Sequence, residues 1–585
     1  MIVRMKKIFI VAESKDIDSA LKALGREGVL HIEYENIPID DNVTKLKKKL
    51  EITLRALDIV SEEWVSKKSA AKIPLPEPET IINEILSLAE ERESLIENIR
   101  RIREDIALWE EWGDFDPGMI KTLEHKGLFV NLAKITRSDL KKLPEGMIIE
   151  ELFRKGNILY CALISREKIS FPFETIEPPQ KGLHVMLEEL DREQKRLATI
   201  EKRLGELSGY RDGLNSYRKR LETLLEFNMA LVGAGRFGRV SYIKGYCPWY
   251  NVKTIEGLAQ KERWAIIVED PAEDDIVPTL IKNPKWIDII SPIFRIINII
   301  PGYKEMDISF HFLIFFSLFF GMLIGDSGYG IVYIFLTIFL QKRLRHFKDK
   351  TPFLLAYLLS ICAIVWGLMT GVFFGRHPWL KPLIPYLKED VNVQSFCFLI
   401  GVIQLSIAHA WRVLRKWPSL KALADIGWVL ILWPAYFLAK TLILNYPYPI
   451  FGIYSFILGA GLVVFFTEPV RNIFRCIASG LGNLLLKLMG SFGDIVSYIR
   501  LFAVSAAGVA ISDAFNQMAI SIGRKSILAT LAFFMVLFLG HTLNIIMGIL
   551  AVLVHGVRLN VLEFSSHLDM EWSGREYIPF RPDII

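Results

Sequence analysis

Two arginines lie in long apolar segments near the end of the chain. Arg500 lies in SYIRLFAVSAAGVA, whose small residues permit the close approach of another helix. Arg558 lies in HGVRLNVLEF, with His555, Asn560 and Glu563 nearby. A charge inside a membrane span is costly, so one that is present usually marks an ion path or a paired structural site. Both segments are therefore candidate sites of ion movement.

The chemistry open to these arginines follows from their permanent charge. Arginine keeps its proton at any accessible pH, so it is a poor relay but a good fixed cation. Such a cation can stabilise a mobile carboxylate in its ionised form and separate two aqueous access paths. His555, Arg558 and, less closely, Glu563 fall on neighbouring turns of one helix and form a polar stripe. The alternative is that the arginines pair with Asp494, Asp513 or Glu563 and only hold helices together.

The second half of the chain supplies the apolar helices that these residues need. From about Asp307 onward, apolar runs of the roughly 20 residues that cross a bilayer follow one another. Within the first run, GMLIGDSGYG is either a tight turn between two short helices or part of one helix. The last two runs exceed one crossing and must tilt, project or be interrupted. The runs fit eight spans, at about 308–324, 327–341, 352–374, 393–411, 423–440, 450–467, 480–520 and 526–566.

Basic loop residues favour the count of eight. With the amino terminus inside, the loops at 342–350, 412–421 and 471–475 are inside and hold most of the Lys and Arg residues. Joining the first two spans would place these clusters outside. We therefore expect a multi-pass protein of the cell membrane whose amino-terminal domain and short carboxy-terminal tail are cytoplasmic.

The first half is polar and shows coiled-coil periodicity. Apolar residues recur at steps of three and four at about 41–66, 80–112 and 185–228. So narrow a stripe must pack on another helix or on a partner. Strand-like runs lie between these helices, at Lys6–Ala12, Gly127–Ala133, Ile158–Ile164, Val240–Tyr246 and Trp264–Val268.

The predicted fold class therefore has two parts. Residues 1–304 form cytoplasmic α+β lobes joined by a long antiparallel coiled coil. Residues 305–585 form an all-α membrane bundle of eight transmembrane helices, of which the last two are long and tilted.

Several function classes are excluded or disfavoured by composition and motifs. The chain has 585 residues, is 51% hydrophobic and carries a net charge of only +5, so we expect no nucleic-acid partner. The 5 cysteines show no paired spacing, which disfavours disulfides and metal sites. Gly233, Gly235 and Gly238 spell GxGxxG, but they follow a helix and precede a strand, the reverse of a dinucleotide site. No GxxxxGK[ST] loop occurs, so the chain is expected to be non-catalytic and without a cofactor.

Five longer motifs can be compared with known families. They are GDIVSYIRLFAVSAAG, GHTLNIIMGILAVLVHGVRLNVLEFSSH, FFGMLIGDSGYG, WGLMTGVFFG and EDPAEDDIVPTLIKNP. These motifs resemble the membrane stator subunit of V-type and A-type rotary ATPases, called subunit a or subunit I, in its prokaryotic form. The resemblance extends in order over about residues 240–580 and more loosely over the rest.

The resemblance implies roles and partners. Arg500 would face the membrane carboxylate of a rotating proteolipid ring, and Arg558 would be a second polar anchor at that interface. Glu563 and His555 could line the cytoplasmic access path, and Asp494 is either part of that path or a structural partner of arginine. The polar half would bind the peripheral stalk and reach the cap subunit of the central rotor, with indirect contact to the catalytic ATPase head.

Three positions depart from the family pattern. Asn560 stands where many relatives carry histidine, which makes a relay there doubtful. Gly508 and Gly548 stand where some relatives have ionisable residues, so the outer half-channel must be built differently.

Other interpretations stay open. An autonomous secondary transporter would be expected to show paired broken helices, and no internal repeat is evident. A membrane-anchored scaffold would use the polar stripe structurally. We expect His409 and His541, which lie on apolar spans, to have structural roles, and Asp326 to cap the second span. The coupling ion, H+ or Na+, cannot be inferred from the sequence.

Overall fold

A computed structural model describes the chain in eleven stretches, which together contain two packing units. The polar unit comprises Phe9–Lys244, Gly257–Ile266 and Phe580–Ile585, and the bundle unit comprises Met1–Ile8, Gly245–Glu256 and Ile267–Pro579. The described residues are 1–61, 76–136, 147–156, 158–167, 169, 175–345, 347, 349–376, 381–468, 473–523 and 526–581.

Two β-sheets are present within the described residues. One has the strand order β2–β8–β1–β9, with β7 paired to β8, and the other has the order β4–β5–β3–β6. The strands are β1 (Met5–Glu13), β2 (His31–Glu33), β3 (Phe129–Thr136), β4 (Ile148–Lys155), β5 (Ile158–Ser165), β6 (Thr175–Ile176), β7 (Gly235–Phe237), β8 (Val240–Pro248) and β9 (Ala265–Glu269).

The strand-like runs of the sequence are all strands in the structure. Their β-branched and aromatic residues suit a half-buried pleated surface. In the four-stranded sheet β3 is antiparallel to β5, with Ala133 opposite Cys161, and β4 is antiparallel to β5. The glycine motif lies at the end of a helix and in the hairpin of β7 and β8, where Gly238 has a φ of 63°. The predicted order of helix, glycines and strand is therefore confirmed.

Before residue 300, the described residues form eight α-helices and several short 3-10 turns. The helices are α1 (Ile17–Glu27), α2 (Asp41–Ser61), α3 (Pro78–Trp109), α4 (Pro117–His125), α5 (Leu183–Leu207), α6 (Arg211–Gly233), α7 (Val252–Glu262) and α8 (Ser291–Ile297). Single 3-10 turns lie at Glu110–Trp112, Ser208–Tyr210, Trp249–Asn251 and Asp288–Ile290.

The long helices of the polar unit pack on one another. Helix α3 lies along α5, and α2 lies along α6. Their apolar stripes share one buried cluster that includes Leu57, Ile85, Leu204 and Leu214. The third predicted segment, 185–228, is divided by the 3-10 turn at Ser208–Tyr210. Part of the first segment, at 62–66, lies outside the described residues, and the antiparallel coiled coil stays a prediction.

After residue 300, apolar helices dominate the bundle unit. They are α9 (Ser309–Ile324), α10 (Ser327–Arg343), α11 (Thr351–Thr370), α12 (Asp390–Lys416), α13 (Ala422–Leu444), α14 (Ile450–Phe466), α15 (Ile473–Ser497), α16 (Ile499–Ile522), α17 (Ile527–Ala551) and the short α18 (Ser565–His567). Two π-helical turns, Val552–Gly556 and Leu559–Phe564, lie between α17 and α18, and a 3-10 turn lies at Pro385–Lys388.

Helix α9 turns sharply into α10. The helix axis bends by 117° between the two helices. The Asp326 carboxylate caps α10 by accepting hydrogen bonds from the backbone N–H groups of Gly328 at 2.7 Å and Tyr329 at 3.3 Å. Asp326 also accepts N–H bonds from Phe374 and Gly375, so it ties this turn to the segment after α11. The expected capping role of Asp326 is confirmed, and the interruption in the first apolar run is a turn.

Apolar helices lie at all eight predicted positions, but not all of them are long enough to cross a membrane by themselves. Within the described residues, 5 helical stretches are long and apolar enough to cross a membrane, or up to 6 when α9 and α10 count as one span. Helix α14 is a shorter apolar helix. The bundle unit is that of a membrane protein, while eight crossings and the boundary at residue 304 stay predictions. Residues 346, 348, 471 and 472 of the loops used in the orientation argument lie outside the described part of the chain.

Candidate functional site

Arg500 lies at the junction of two helices, where Tyr498 holds the chain in place. Helix α15 ends at Ser497 and α16 begins at Ile499. Between them Tyr498 is 0% exposed, and its hydroxyl donates to Gln404 Oε1 of α12 at 2.8 Å. Gly401 of α12 leaves room for the ring, since a Cβ there would lie 2.6 Å from Tyr498 Cδ2. The position of Arg500 therefore depends on a close contact between α12 and the α15–α16 junction.

Arg558 and Glu563 are brought together by π-helical geometry. In an α-helix, residues five apart point about 140° away from each other, because each residue turns the helix by about 100°. The turn Leu559–Phe564 is instead π-helical, with bonds between residues five apart. Arg558 Nε therefore lies 3.4 Å from Glu563 Oε1. The structure thus brings Arg558 and Glu563 of the predicted polar stripe together, with the spacing of a π-helix.

Glu563 lies between the two arginines without binding either one tightly. Its Oε1 is 3.8 Å from Arg500 Nη1, and its side chain is only 4% exposed, compared with 23% for Arg500. Buried atoms without a hydrogen bond within the described structure include Arg500 Nη1, Glu563 Oε2 and His555 Nδ1. Buried polar groups are normally hydrogen-bonded, and exceptions often lie at functional sites. The site is thus a loose cluster of charges with unused hydrogen-bonding capacity.

Buried amides connect this cluster to α12. Gln404 Nε2 donates to Asn560 Oδ1 at 3.0 Å, and Asn560 Nδ2 donates to the Gly556 carbonyl at 3.1 Å. Both amides are 0% exposed. Asn560 therefore has a structural role in orienting the π-helical segment. Sequence reasoning missed Gln404 and Tyr498, although an amide in the apolar run 393–411 is a recognisable signal, because polar side chains often join membrane helices.

Within the described part of the chain, the ion pair of Asp494 is with His567 and not with Arg500. Asp494 Oδ2 is 3.1 Å from His567 Nε2, just beyond the π-helical segment. Asp513 accepts the backbone N–H of Arg376 at 2.8 Å. Of the three carboxylates that could have paired with the arginines, Glu563 is the one whose described ion pairs include them. The described ion pair of Asp494 is thus with a histidine, and its place on an access path stays a prediction.

A second polar cluster joins Tyr329 of α10 to helices α16 and α17. The Tyr329 hydroxyl is 2.7 Å from Ser512 Oγ and 2.8 Å from His541 Nδ1. Asn544 Nδ2 donates to the Gly508 carbonyl at 2.7 Å, so a small residue at 508 admits this contact. His541 is satisfied by neighbouring helices, as the sequence suggested.

A cavity of about 190 Å³ opens beside helix α16. Its lining includes Arg376, Lys388, Asp390 and Ser505, with Arg376 Nη2 2.6 Å from Asp390 Oδ1. Ser505 lies five residues after Arg500 on the same helix. A charged cavity therefore adjoins the helix that carries the candidate arginine.

Comparisons with known proteins place the chain among named relatives. No family model matches it. It is 34% identical to the V-type ATP synthase subunit I of Borreliella burgdorferi, with 99% of each chain covered. It is 29% identical to V-type ATP synthase subunit I 1 of Treponema pallidum, covering 99% of this chain and 100% of that protein.

The matches also include a more distant relative and a solved structure. The A-type ATP synthase subunit I of Methanocaldococcus jannaschii is 22% identical over 59% of this chain and 56% of that protein. The solved cytoplasmic N-terminal domain of subunit I, a homologue of subunit a of V-ATPase, covers 45% of this chain and 99% of its own, at 14% identity and a TM-score of 0.23. That TM-score is too low to indicate a shared fold. The full-length sequence matches, in contrast, establish that the chain belongs to the V-type ATP synthase subunit I family.

Proposed function

We propose that this chain forms the ion half-channels beside the proteolipid ring of a rotary V/A-type ATPase. In this role it couples translocation of H+ or Na+ to rotation and to ATP hydrolysis or synthesis. Family membership makes the chain a non-catalytic membrane subunit of a rotary ATPase that works with other subunits of the complex.

The environment of Arg500 is the observation that carries the proposal. A purely structural arginine would be expected to make short, complete ion pairs, since an unpaired buried charge is expensive. Arg500 instead approaches Glu563 at only 3.8 Å, and its buried Nη1 makes no hydrogen bond within the described residues. This leaves the guanidinium able to attract a carboxylate that passes on another subunit. Bringing the two charges together displaces the ion that the carboxylate carried.

Two access paths follow from the groups on either side of Arg500. The inner path uses Glu563, His555 and Asp494, with Arg558 as a second cation at the ring-facing surface. The outer path uses the charged cavity lined by Arg376, Lys388 and Asp390. Arg500 lies between them and keeps ions from leaking directly across, because a fixed cation repels any cation that enters without a carboxylate.

The polar half acts as the stator arm. Its long packed helices suit a strut that binds peripheral-stalk subunits and reaches toward the cap of the central rotor. In this arrangement residues 1–304 and the carboxy terminus are cytoplasmic, and eight spans lie in the cell membrane. The catalytic ATPase head is an indirect partner.

Arg500→Ala in the full complex tests the proposal. We expect the complex to assemble with its full set of subunits and to lose ATP-driven ion uptake, measured in proteoliposomes with a pH-sensitive dye and with radioactive sodium. Arg295→Ala is the matched control, because Arg295 is 70% exposed and forms a surface pair with Asp349. Retained coupled uptake by the Arg500 variant would refute the channel role.

A pull-down from native membranes distinguishes the remaining alternatives. A tagged chain that recovers a small Gly/Ala-rich proteolipid, ATPase subunits and stalk subunits supports the stator role. Recovery of the chain alone, under detergent conditions that preserve other complexes, would favour an autonomous transporter. Recovery of the complex with wild-type ion uptake in the Arg500→Ala variant would favour a scaffold.

A further inference from the structure

Four buried or half-buried side chains form a hydrogen-bonded chain beyond the arginine cluster. Asp494 Oδ2 lies 3.1 Å from His567 Nε2, and His567 Nδ1 lies 2.9 Å from His409 Nε2. His409 Nδ1 in turn lies 3.4 Å from Asp425 Oδ1. The side chains of His409, His567 and Asp425 are 4%, 6% and 2% exposed. These residues come from α12, α13, α15 and α18, so four separate segments meet at one row of polar atoms.

The carboxylate at one end of this chain is held as an acceptor. The Asp425 carboxylate forms ion pairs with Arg412 Nε at 3.0 Å and with Lys416 Nζ at 2.7 Å. An ionised carboxylate only accepts hydrogen bonds, so His409 Nδ1 must carry the hydrogen that points at Asp425. The same logic applies at the other end, where an ionised Asp494 requires a hydrogen on His567 Nε2.

The contact between the two rings then determines how many protons they hold. One hydrogen must lie between His409 Nε2 and His567 Nδ1, because two lone pairs at 2.9 Å repel. The two imidazoles therefore share three N–H hydrogens when both carboxylates are ionised, one more than two neutral rings possess. The third hydrogen is the one that can leave, because two neutral rings need only one N–H each. When one hydrogen leaves, two N–H groups remain for three contacts, so one contact loses its hydrogen bond. The arrangement therefore binds one exchangeable proton.

We propose that Asp494 and His567 form a proton-binding site on the inner access path, with His409 and Asp425 as positioning residues that fix its tautomer. The proposal rests on the proposed function, since it takes Asp494 as part of that path. It also specifies the coupling ion as H+, because the exchanged species is the proton shared by Asp494 Oδ2 and His567 Nε2, 3.1 Å apart. The transfer moves one proton between Asp494 Oδ2 and His567 Nε2, and no other bond forms or breaks.

Other charges face this site and influence its affinity for protons. Arg412 Nη1 donates to the His567 carbonyl at 3.0 Å, and its Nη2 contacts Asp569 at 2.6 Å. Lys487 Nζ lies 3.2 Å from the same Asp569. These cations are balanced by carboxylates within the cluster, and Asp494 is 28% exposed. Asp494 is thus the member of the chain that exchanges protons with water.

The pH dependence of ATP-driven proton uptake by the reconstituted full complex tests the proposal. His567→Gln keeps a hydrogen-bonding side chain but cannot hold the extra proton. We expect its uptake to fall roughly tenfold as the pH on the ATP side rises above neutral, because loading then depends on the bulk proton concentration. His409→Gln should shift the profile in the same direction by a smaller amount. His184→Gln is the control, since that side chain is 69% exposed.

Each outcome bears on the proposal. A wild-type pH profile in His567→Gln, while Arg500→Ala blocks uptake, overturns the proton site and leaves the proposed function intact. Wild-type uptake in both variants refutes the proposed function itself. If His567→Gln is not recovered in the complex, Asp494→Asn is tested instead, since its amide oxygen still accepts from His567 but binds no proton. Uptake that depends on Na+ and not on pH also overturns the proposal.

Discussion

Replacing Gly401 by alanine should disturb ion translocation through a single close contact. The added Cβ would lie 2.6 Å from Tyr498 Cδ2 and 2.7 Å from Cγ, so the ring must move. Ordinary carbon contacts are about 3.5–4.0 Å, which requires a retreat of roughly 1 Å. Tyr498 is 0% exposed and packs edge-on against Phe319 with ring centroids 5.9 Å apart, so the retreat has little free space.

The magnitude follows from two opposing effects. Overpacking of a filled interior costs about 1–3 kcal/mol. The gain from replacing a helical glycine by alanine is about 1 kcal/mol at most. We therefore expect Gly401→Ala to destabilise the chain by about 1–2 kcal/mol. Arg500 lies two residues after Tyr498, and a misplacement of about 1 Å can cost up to about 100-fold in rate. Ion uptake should fall about tenfold or more.

The assay compares thermal stability in detergent with ATP-driven ion uptake in proteoliposomes, for complexes with equal subunit content. Gly461→Ala is the matched control, because it is also a helical glycine of the bundle unit and a Cβ there meets nothing within 4 Å. The control should be neutral or slightly more stable. Uptake and stability in Gly401→Ala that equal those of the control would refute the inferred role of the Tyr498 contact in positioning Arg500.

Three further predictions address other parts of the chain. Burial raises the pKa of the Cys161 thiol to about 11 and that of the Cys247 thiol to about 12. Maleimide at pH 8 should therefore label both thiols slowly in the folded chain and rapidly in denaturant, and equal labelling rates would contradict their burial. Asp326→Ala removes the acceptor of four backbone N–H groups at a site 1% exposed and should cost about 2–4 kcal/mol, measured as a lower melting temperature, with Asp326→Asn losing less. Burial, and to a smaller extent the charge of Glu222, raises the pKa of Glu226 above its ordinary 4.5, so the folded chain binds more protons there than the unfolded chain and loses stability as pH rises through the raised pKa. The free energy of unfolding, measured with denaturant, should depend less on pH in Glu226→Gln, and parallel plots of this free energy against pH for the two proteins would refute the prediction.

Local patterns predicted the elements, because hydropathy and periodicity act over short distances. The apolar helices begin and end near the predicted positions, and Asp326 caps α10 as the GDSGYG turn suggested. The division between α5 and α6 was missed, because the apolar repeat continues across Ser208–Tyr210 and hides the 3-10 turn. Whether the long helices form a coiled coil, and how many helices cross the bilayer, stay predictions.

The candidate site was less predictable, because it depends on contacts between distant residues. Arg500, Arg558, His555 and Glu563 stood out as charges in apolar runs, and the structure brings both arginines within ion-pair distance of Glu563. The partner of Asp494 lies 73 residues away in the sequence, and nothing local links it to His567. His409 was expected to be satisfied by a neighbouring helix. It is, and its partner is a second histidine that only the fold could reveal.

The π-helical turns make the orientation of the end of the bundle depend on the helix type of these turns. Each π turn contains one residue more than the α turn it replaces. If Leu559–Phe564 became α-helical without losing a residue, everything after it would rotate by about 100°. His567 would then point away from Asp494, while Arg558 and the helix before it would keep their orientation. A substitution that makes this segment α-helical would thus remove the inner contacts while every charged side chain is still present.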